Sequence, residues 1–168
     1  RSLCDSSLYH EIYKFGVAQD SRAMAAWETE RGGEFKAAGV GAGIAGRRSD
    51  VGLIDDPIRS REDAESEQVR EKLWEWYLAD FRTRLKPGGA IVLIQTRWHP
   101  DDLAGRILPT DYHGQSGKVV CTGGEEWEII NFPAICEQDD DVLGRKIGEA
   151  LWPEYYTLEM LLETKKMQ

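Results

Sequence analysis

The chain reads as an α/β protein built on a parallel βαβ unit, and three features carry that expectation. A short apolar run, Val51-Gly52-Leu53-Ile54, comes first, a long segment of helical periodicity follows, and a continuous apolar run, Ala90-Ile-Val-Leu-Ile94, closes the unit. Val69, Leu73, Trp76, Tyr77, Phe81 and Leu85 recur at three- and four-residue steps, which marks one apolar face of a helix. This unbroken apolar run, rich in Ile and Val, marks a strand buried on both faces. Strand, helix and strand in this order make parallel strands with a right-handed crossover. Both strands then finish at one sheet edge, where open α/β sheets collect their ligands. Asp55-Asp56 follows the first strand there, and Gln95-Thr96-Arg97 follows the second.

Composition bounds what such a chain does. At 168 residues, with 41% hydrophobic and 30% charged residues, it has the length and content of one soluble globular domain. The formal net charge of −9 argues against non-specific nucleic-acid binding by the chain as a whole, while leaving room for a local basic patch. No apolar stretch approaches the ~20 residues of a membrane span, so no membrane association is expected. Cys4, Cys121 and Cys136 are odd in number and lack metal-ligand spacing, which suits a reduced, cytoplasmic protein. The chain starts at Arg1 and stops at Gln168 inside a helix-like pattern, so it is expected to be a piece of something longer.

The elements follow in order. Residues 5–15 read as a helix, and residues 20–28 as a short apolar segment that the pattern leaves unassigned. Glu34–Val40 reads as a strand, followed by a glycine-rich stretch from Gly39 to Gly46 and then the Val51–Ile54 strand. Ser60 with Asp63 three residues on gives a capping-box-like start to the long helix. Lys86-Pro87-Gly88-Gly89 ends it, with a cation in the last turn and breakers beyond. Pro100–Leu108 reads as a short helix with proline in its first turn. Lys118–Cys121 and Trp127–Phe132 read as strands around a Gly123-Gly124 turn. The acidic run Glu137–Asp141 reads as a solvated loop, and Thr157–Lys166 as a final helix capped by Thr157.

Several short motifs have to be weighed against plainer roles. Gly41-Ala-Gly-Ile-Ala-Gly46 matches the dinucleotide-binding pattern G-x-G-x-x-G, but the next strand follows too soon for the helix that would hold a pyrophosphate. A flexible connection between strands is the better reading. Gly114-Gln-Ser-Gly117-Lys118 fails as a phosphate-binding loop, because Tyr112 stands where its first glycine belongs and Val119 where the Mg²⁺-binding hydroxyl belongs. His99-Pro-Asp-Asp102 could be a metal cluster, although proline and acidic residues are also ordinary at a helix start. Trp74 and Trp76 fall within the helical pattern and its flank, which points to packing. Asp55-Asp56-Pro57 is either a turn after a core strand or a pair of carboxylates suited to Mg²⁺ and an attacking water.

A set of blocks in fixed order decides between those last two. They are Gly32-Gly-Glu-Phe35, Gly39-Val-Gly41, Gly46-Arg47-Arg48-Ser-Asp50, Leu53-Ile-Asp-Asp-Pro57 with Ser60-Arg-Glu-Asp63, Gln95-Thr-Arg-Trp-His99 with Asp101-Asp-Leu-Ala-Gly-Arg106, and Gly148-Glu-Ala-Leu-Trp-Pro153. In these blocks, which span most of its length, the chain resembles the large terminase subunits of tailed bacteriophages, the ATP-driven motors of DNA packaging. The resemblance implies a parallel-sheet P-loop NTPase fold of the terminase type, with three αβα layers, here incomplete. It implies that residues 1–153 are the C-terminal part of the ATPase domain and that 154–168 form a helix leading toward a nuclease domain.

The resemblance also assigns roles. Asp55 matches the Walker B aspartate that holds Mg²⁺, and Asp56 the acidic residue that activates water, where many relatives carry Glu. Thr96 matches the coupling motif, and Arg47, with Arg48 as the alternative, lies near where some terminases place an arginine finger. Phosphoryl transfer depends on positioning and charge neutralisation, so a metal, a water-orienting carboxylate and an arginine are the parts it needs. Mg²⁺ and ATP are the implied cofactors. The implied partners are double-stranded phage DNA, the portal protein, the small terminase subunit and further copies in a ring on the procapsid, in the bacterial cytoplasm. No G-x-x-x-x-G-K-[ST] occurs in the 168 residues and no nuclease segment follows, so a fragment or a truncated prophage product is expected. Two other functions fit the same residues: a metal-dependent nuclease or phosphohydrolase using Asp55, Asp56 and the His99–Asp102 group, and a non-catalytic assembly module.

Overall fold

A computed structural model describes residues 2–44 and 46–167, and it divides into two compact units, Arg1–Thr96 and Arg97–Gln168. The protein is mixed α/β, with one small parallel sheet and two antiparallel ones.

In the first unit, helix α1 (Ser7–Tyr13) starts where the Ser6 hydroxyl accepts the Tyr9 amide at 3.2 Å, and it stops at Lys14, whose φ of 58° is left-handed. Strands β1 (Val17–Arg22), β2 (Ala26–Thr29) and β3 (Glu34–Lys36) then form an antiparallel meander. The segment left unassigned between 20 and 28 therefore runs from one strand through a turn into the next. The strand expected over Glu34–Val40 is only three residues long, since its partner β2 begins at Ala26, directly opposite Lys36. Trp27 stacks on Phe35 across the β2–β3 pair, with ring centroids 5.0 Å apart.

Strand β4 (Ser49–Asp55) pairs in parallel with the strand that follows the next helices, as the βαβ pattern requires. Those helices are α2 (Arg61–Glu65) and α3 (Glu67–Trp76), not one uninterrupted helix from Ser60 to Leu85. Ser60 caps α2 as expected, accepting the Asp63 amide at 3.1 Å. Ser66 ends α2 in an extended conformation and starts α3, accepting the Val69 amide at 3.4 Å. A serine offers the backbone an alternative partner to the helical carbonyl, so it interrupts a helix that apolar spacing alone would continue. Beyond Trp76 the coil widens into a π turn over Tyr77–Phe81, then tightens into a 3-10 turn over Arg82–Arg84. The rings of Trp74 and Trp76 pack on Tyr77 and Phe81, at 5.5 and 5.3 Å.

Strand β5 (Leu85–Ile94) begins earlier than expected and takes in Lys86-Pro87-Gly88-Gly89. These breakers sit in an irregularity of register: the pairing passes from Ser49↔Leu85 to Val51↔Ala90, and Gly88 at φ 79° takes up part of the turn. From there the ladder is regular, with Leu53 opposite Val92 and Asp55 opposite Ile94.

Only one face of this sheet is covered. Gly52 and Ile54 are buried, and the Phe81 ring lies so close to Gly52 that a β-carbon there would stand 2.6 Å from it. A glycine inside a strand commonly marks such an approach. On the other face Val51, Leu53, Val92 and Ile94 are 61, 56, 42 and 53% exposed. The alternation corrects the expectation of a β5 buried on both faces, and among the described residues the third layer of an αβα arrangement is not present.

The second unit begins with helix α4 (Leu103–Ile107), whose apolar residues Leu103 and Ile107 are buried. The expected start at Pro100 shifts, since Asp102 is the cap and accepts the Gly105 amide at 2.9 Å. Strands β6 (Gly117–Val120) and β7 (Glu126–Ile129) form an antiparallel hairpin with Val119 opposite Trp127, shorter at its far end than the Trp127–Phe132 run suggested. Thr122 ties the hairpin turn to the end of α4, its amide donating to Ile107 and its hydroxyl to Leu108. The segment after β7 doubles back through an isolated bridge between Ile135 and Ala150, and Cys136 and Ala150 are buried beside it.

The acidic run is not wholly solvated. Asp141 turns inward and makes a two-pronged ion pair with Arg145, the side chains being 3 and 8% exposed. Helix α5 (Leu158–Lys166) closes the unit, with Thr157 as its cap as expected, accepting the Met160 amide at 3.4 Å.

Candidate functional site

The site grows from the carboxyl ends of β4 and β5. Asp55 is the last residue of β4 and stands opposite Ile94. Strand alternation places it with Val51 and Leu53 on the open face, and its carboxylate makes no hydrogen bond or ion pair among the described residues. A free carboxylate at a strand end has the donor chemistry that Mg²⁺ takes, since that ion binds one or two carboxylates and fills its remaining positions with waters and phosphate oxygens. Among the described residues no group of three or more acidic, histidine or cysteine side chains gathers into a closed metal cage.

Asp56 leaves the strand in a different conformation. Its φ is 39°, in the left-handed region that a short polar side chain tolerates better than a long or branched one. The turn is fixed at two points. The Asp56 amide donates to the Ile94 carbonyl at 2.9 Å, extending the β4–β5 pairing by one bond. The Asp56 Oδ1 atom accepts the backbone amide of Thr96 at 3.1 Å. The parallel register thus brings together the ends that the sequence placed at one edge, and it joins two of the candidate residues directly.

Arg47 is placed differently. It lies in the connection between β3 and β4, and its guanidinium meets Glu34 at 3.1 Å in a pair whose side chains are 58 and 62% exposed. Arg48 is exposed and makes no hydrogen bond or ion pair among the described residues. Gly46 is followed within a few residues by β4 and not by a helix, in keeping with the rejection of a dinucleotide site.

Sequence reasoning missed how the His99–Asp102 group is used in the second unit. Asp102 is 2% exposed; its Oδ2 takes the Arg97 Nε at 2.8 Å while its Oδ1 caps α4. Asp101 holds Arg106 with both carboxylate oxygens, at 2.8 and 2.7 Å. The His99 Nδ1 accepts the Asp101 amide at 3.0 Å. Each of the four carboxylate oxygens therefore has a protein donor, and the group builds a helix start. The legible signal was the spacing, since both ion pairs join an arginine and an aspartate five residues apart.

No protein-family model matches the chain, and neither a curated protein nor a solved structure matches it. Among the described residues no helix is long and apolar enough to cross a membrane.

Proposed function

We propose that these residues form the Walker B to coupling-motif portion of an ATP-driven DNA-packaging motor of the phage terminase type. The observation that carries this reading is the hydrogen bond from the Thr96 amide to the Asp56 carboxylate, across the carboxyl ends of two parallel strands. The residue in the water-activating position and the residue in the coupling position are in contact, at the sheet edge where an α/β ATPase has its nucleotide.

The roles divide by chemistry. Mg²⁺, when bound, neutralises charge on the phosphates. Asp55 supplies the unengaged carboxylate that would hold it. Asp56 orients the attacking water and takes its proton, and Thr96 passes the state of the site along β5. Arg47 is assigned to stabilise the transferring phosphate of a neighbouring copy, and its exposed, single-contact pairing with Glu34 leaves it releasable. The P-loop fold, the ring on the procapsid, the DNA, portal and small-subunit partners and the division at residue 153 all belong to this proposal.

The test needs a phosphate-cradling loop, because none of the G-x-x-x-x-G-K-[ST] type occurs in these residues. In a product that carries this chain together with such a loop, Asp56→Asn is expected to keep nucleotide binding and to lower turnover by about 10²-fold or more, since an amide cannot take the proton. Asp55→Asn is expected to weaken Mg²⁺-dependent nucleotide binding instead. Equal binding losses for the two variants would overturn the division of roles, and unchanged turnover in both would overturn the ATPase reading.

A further inference from the structure

The bond at the strand ends uses a part of Thr96 that its sequence role does not draw attention to. The donor is the backbone N–H, at 3.1 Å from Asp56 Oδ1, while the Thr96 hydroxyl has no hydrogen-bond partner among the described residues. On the acceptor side, among the described residues, only Oδ1 is engaged and Oδ2 has no partner. Asp56 is fixed from behind as well, because its own amide donates to Ile94 at 2.9 Å and its backbone is held at φ 39°. With the backbone fixed and one oxygen anchored, the direction of the second oxygen is set.

We propose that Thr96 acts on Asp56 through its main chain: the Thr96 amide is the positioning group that anchors Oδ1 and leaves Oδ2 to meet the reacting water. This deepens the proposed function and, for the word "reacting", rests on it; the anchoring itself stands on the geometry alone. A displacement of Thr96, two residues beyond the end of β5, would turn the Asp56 carboxylate, and a pull on that carboxylate would be felt at Thr96, since the coupling between two sites is reciprocal. The left-handed backbone at φ 39° suits the short aspartate side chain here.

The anchor is tested on the 168-residue chain, without nucleotide, by amide hydrogen exchange resolved by NMR. Thr96 should be protected in the wild-type chain. Asp56→Gly accepts the left-handed backbone but removes the acceptor, so Thr96 should exchange about tenfold faster, as expected for losing a charge-assisted bond. The Asp56-position amide, bonded to Ile94, should stay protected there and report that the strand end still pairs. Asp56→Asn keeps a carbonyl oxygen in place and should restore Thr96 protection to within about threefold of wild type. Thr96→Val keeps the amide and should do the same, which separates a main-chain role from one of the hydroxyl. An unprotected Thr96 amide in the wild-type chain, full protection in Asp56→Gly, or loss of protection in Thr96→Val would each overturn the proposal. None of these readouts involves hydrolysis, so failure of the ATPase reading would leave the exchange result intact, and the reverse also holds.

Discussion

Asp102 shows how much one buried side chain can organise. One oxygen caps α4 through Gly105 and the other holds Arg97, with 2% of the residue exposed. Replacing a capping aspartate with alanine costs about 1 kcal/mol, and losing a charge-assisted hydrogen bond costs about 1.5–3 kcal/mol more. Asp102→Ala is therefore expected to destabilise the second unit by about 2.5–4 kcal/mol, read as a lower urea midpoint at constant slope. Asp102→Asn keeps the cap and should lose less. A shift of under ~0.5 kcal/mol for the alanine variant would mean that the box around α4 contributes little. By contrast, Asp55 has no hydrogen-bond or ion-pair partner among the described residues, so on the proposed function its substitution should act on Mg²⁺-dependent binding and not on the fold.

The element with the clearest pH signature is the loop between the Ile135 and Ala150 bridge positions. Arg145 beside Asp141 holds its carboxyl well below the ordinary value of 3.8, at about 2, chiefly by hydrogen bonding and with help from the backbone amides of Arg145 and Leu143. A carboxyl whose folded pKa is depressed contributes stability that is fully present above its unfolded pKa. That contribution is lost as pH falls from about 4 toward 2, when the unfolded chain takes up the proton first. The loop should therefore loosen in that window, seen as faster exchange at Cys136 and Leu151, whose amides bond across the loop base. In Asp141→Asn the loosening should already be present at neutral pH and should change little with acid. A loop equally protected at pH 5 and pH 2 in the wild-type chain would contradict the pairing as a source of its order.

For the molecule as a whole, the proposed function has a consequence, because no G-x-x-x-x-G-K-[ST] occurs in the 168 residues. Residues of a Walker B strand orient a metal and a water, but they do not supply the backbone amides and lysine that cradle the β- and γ-phosphates. The purified 168-residue chain is expected to show no Mg²⁺-dependent ATP hydrolysis above background in a phosphate-release assay. Robust turnover by this chain would overturn the motor reading, since the nucleotide would then have to be held by residues to which that reading gives no such role.

The residues settled by themselves much of what depends on near neighbours. Ser60, Thr157 and the βαβ order were legible because caps and hydrophobic period act over three or four residues, and the parallel edge that joins Asp56 to Thr96 follows from that order. The break at Ser66 was legible in kind but overlooked, because the Ser60 cap and the apolar stripe that starts at Val69 were joined into one helix. The early start of β5 opposite Ser49 and the close fit of Phe81 on Gly52 came from packing between segments far apart in the chain, which no local spacing encodes. The same holds for the carboxylates. Asp55, Asp56, Asp101, Asp102 and Asp141 are alike as letters, and only the three-dimensional neighbours leave one without a partner among the described residues, anchor one to an amide and commit three to arginines, because a carboxylate's chemistry is set by the donors that reach it.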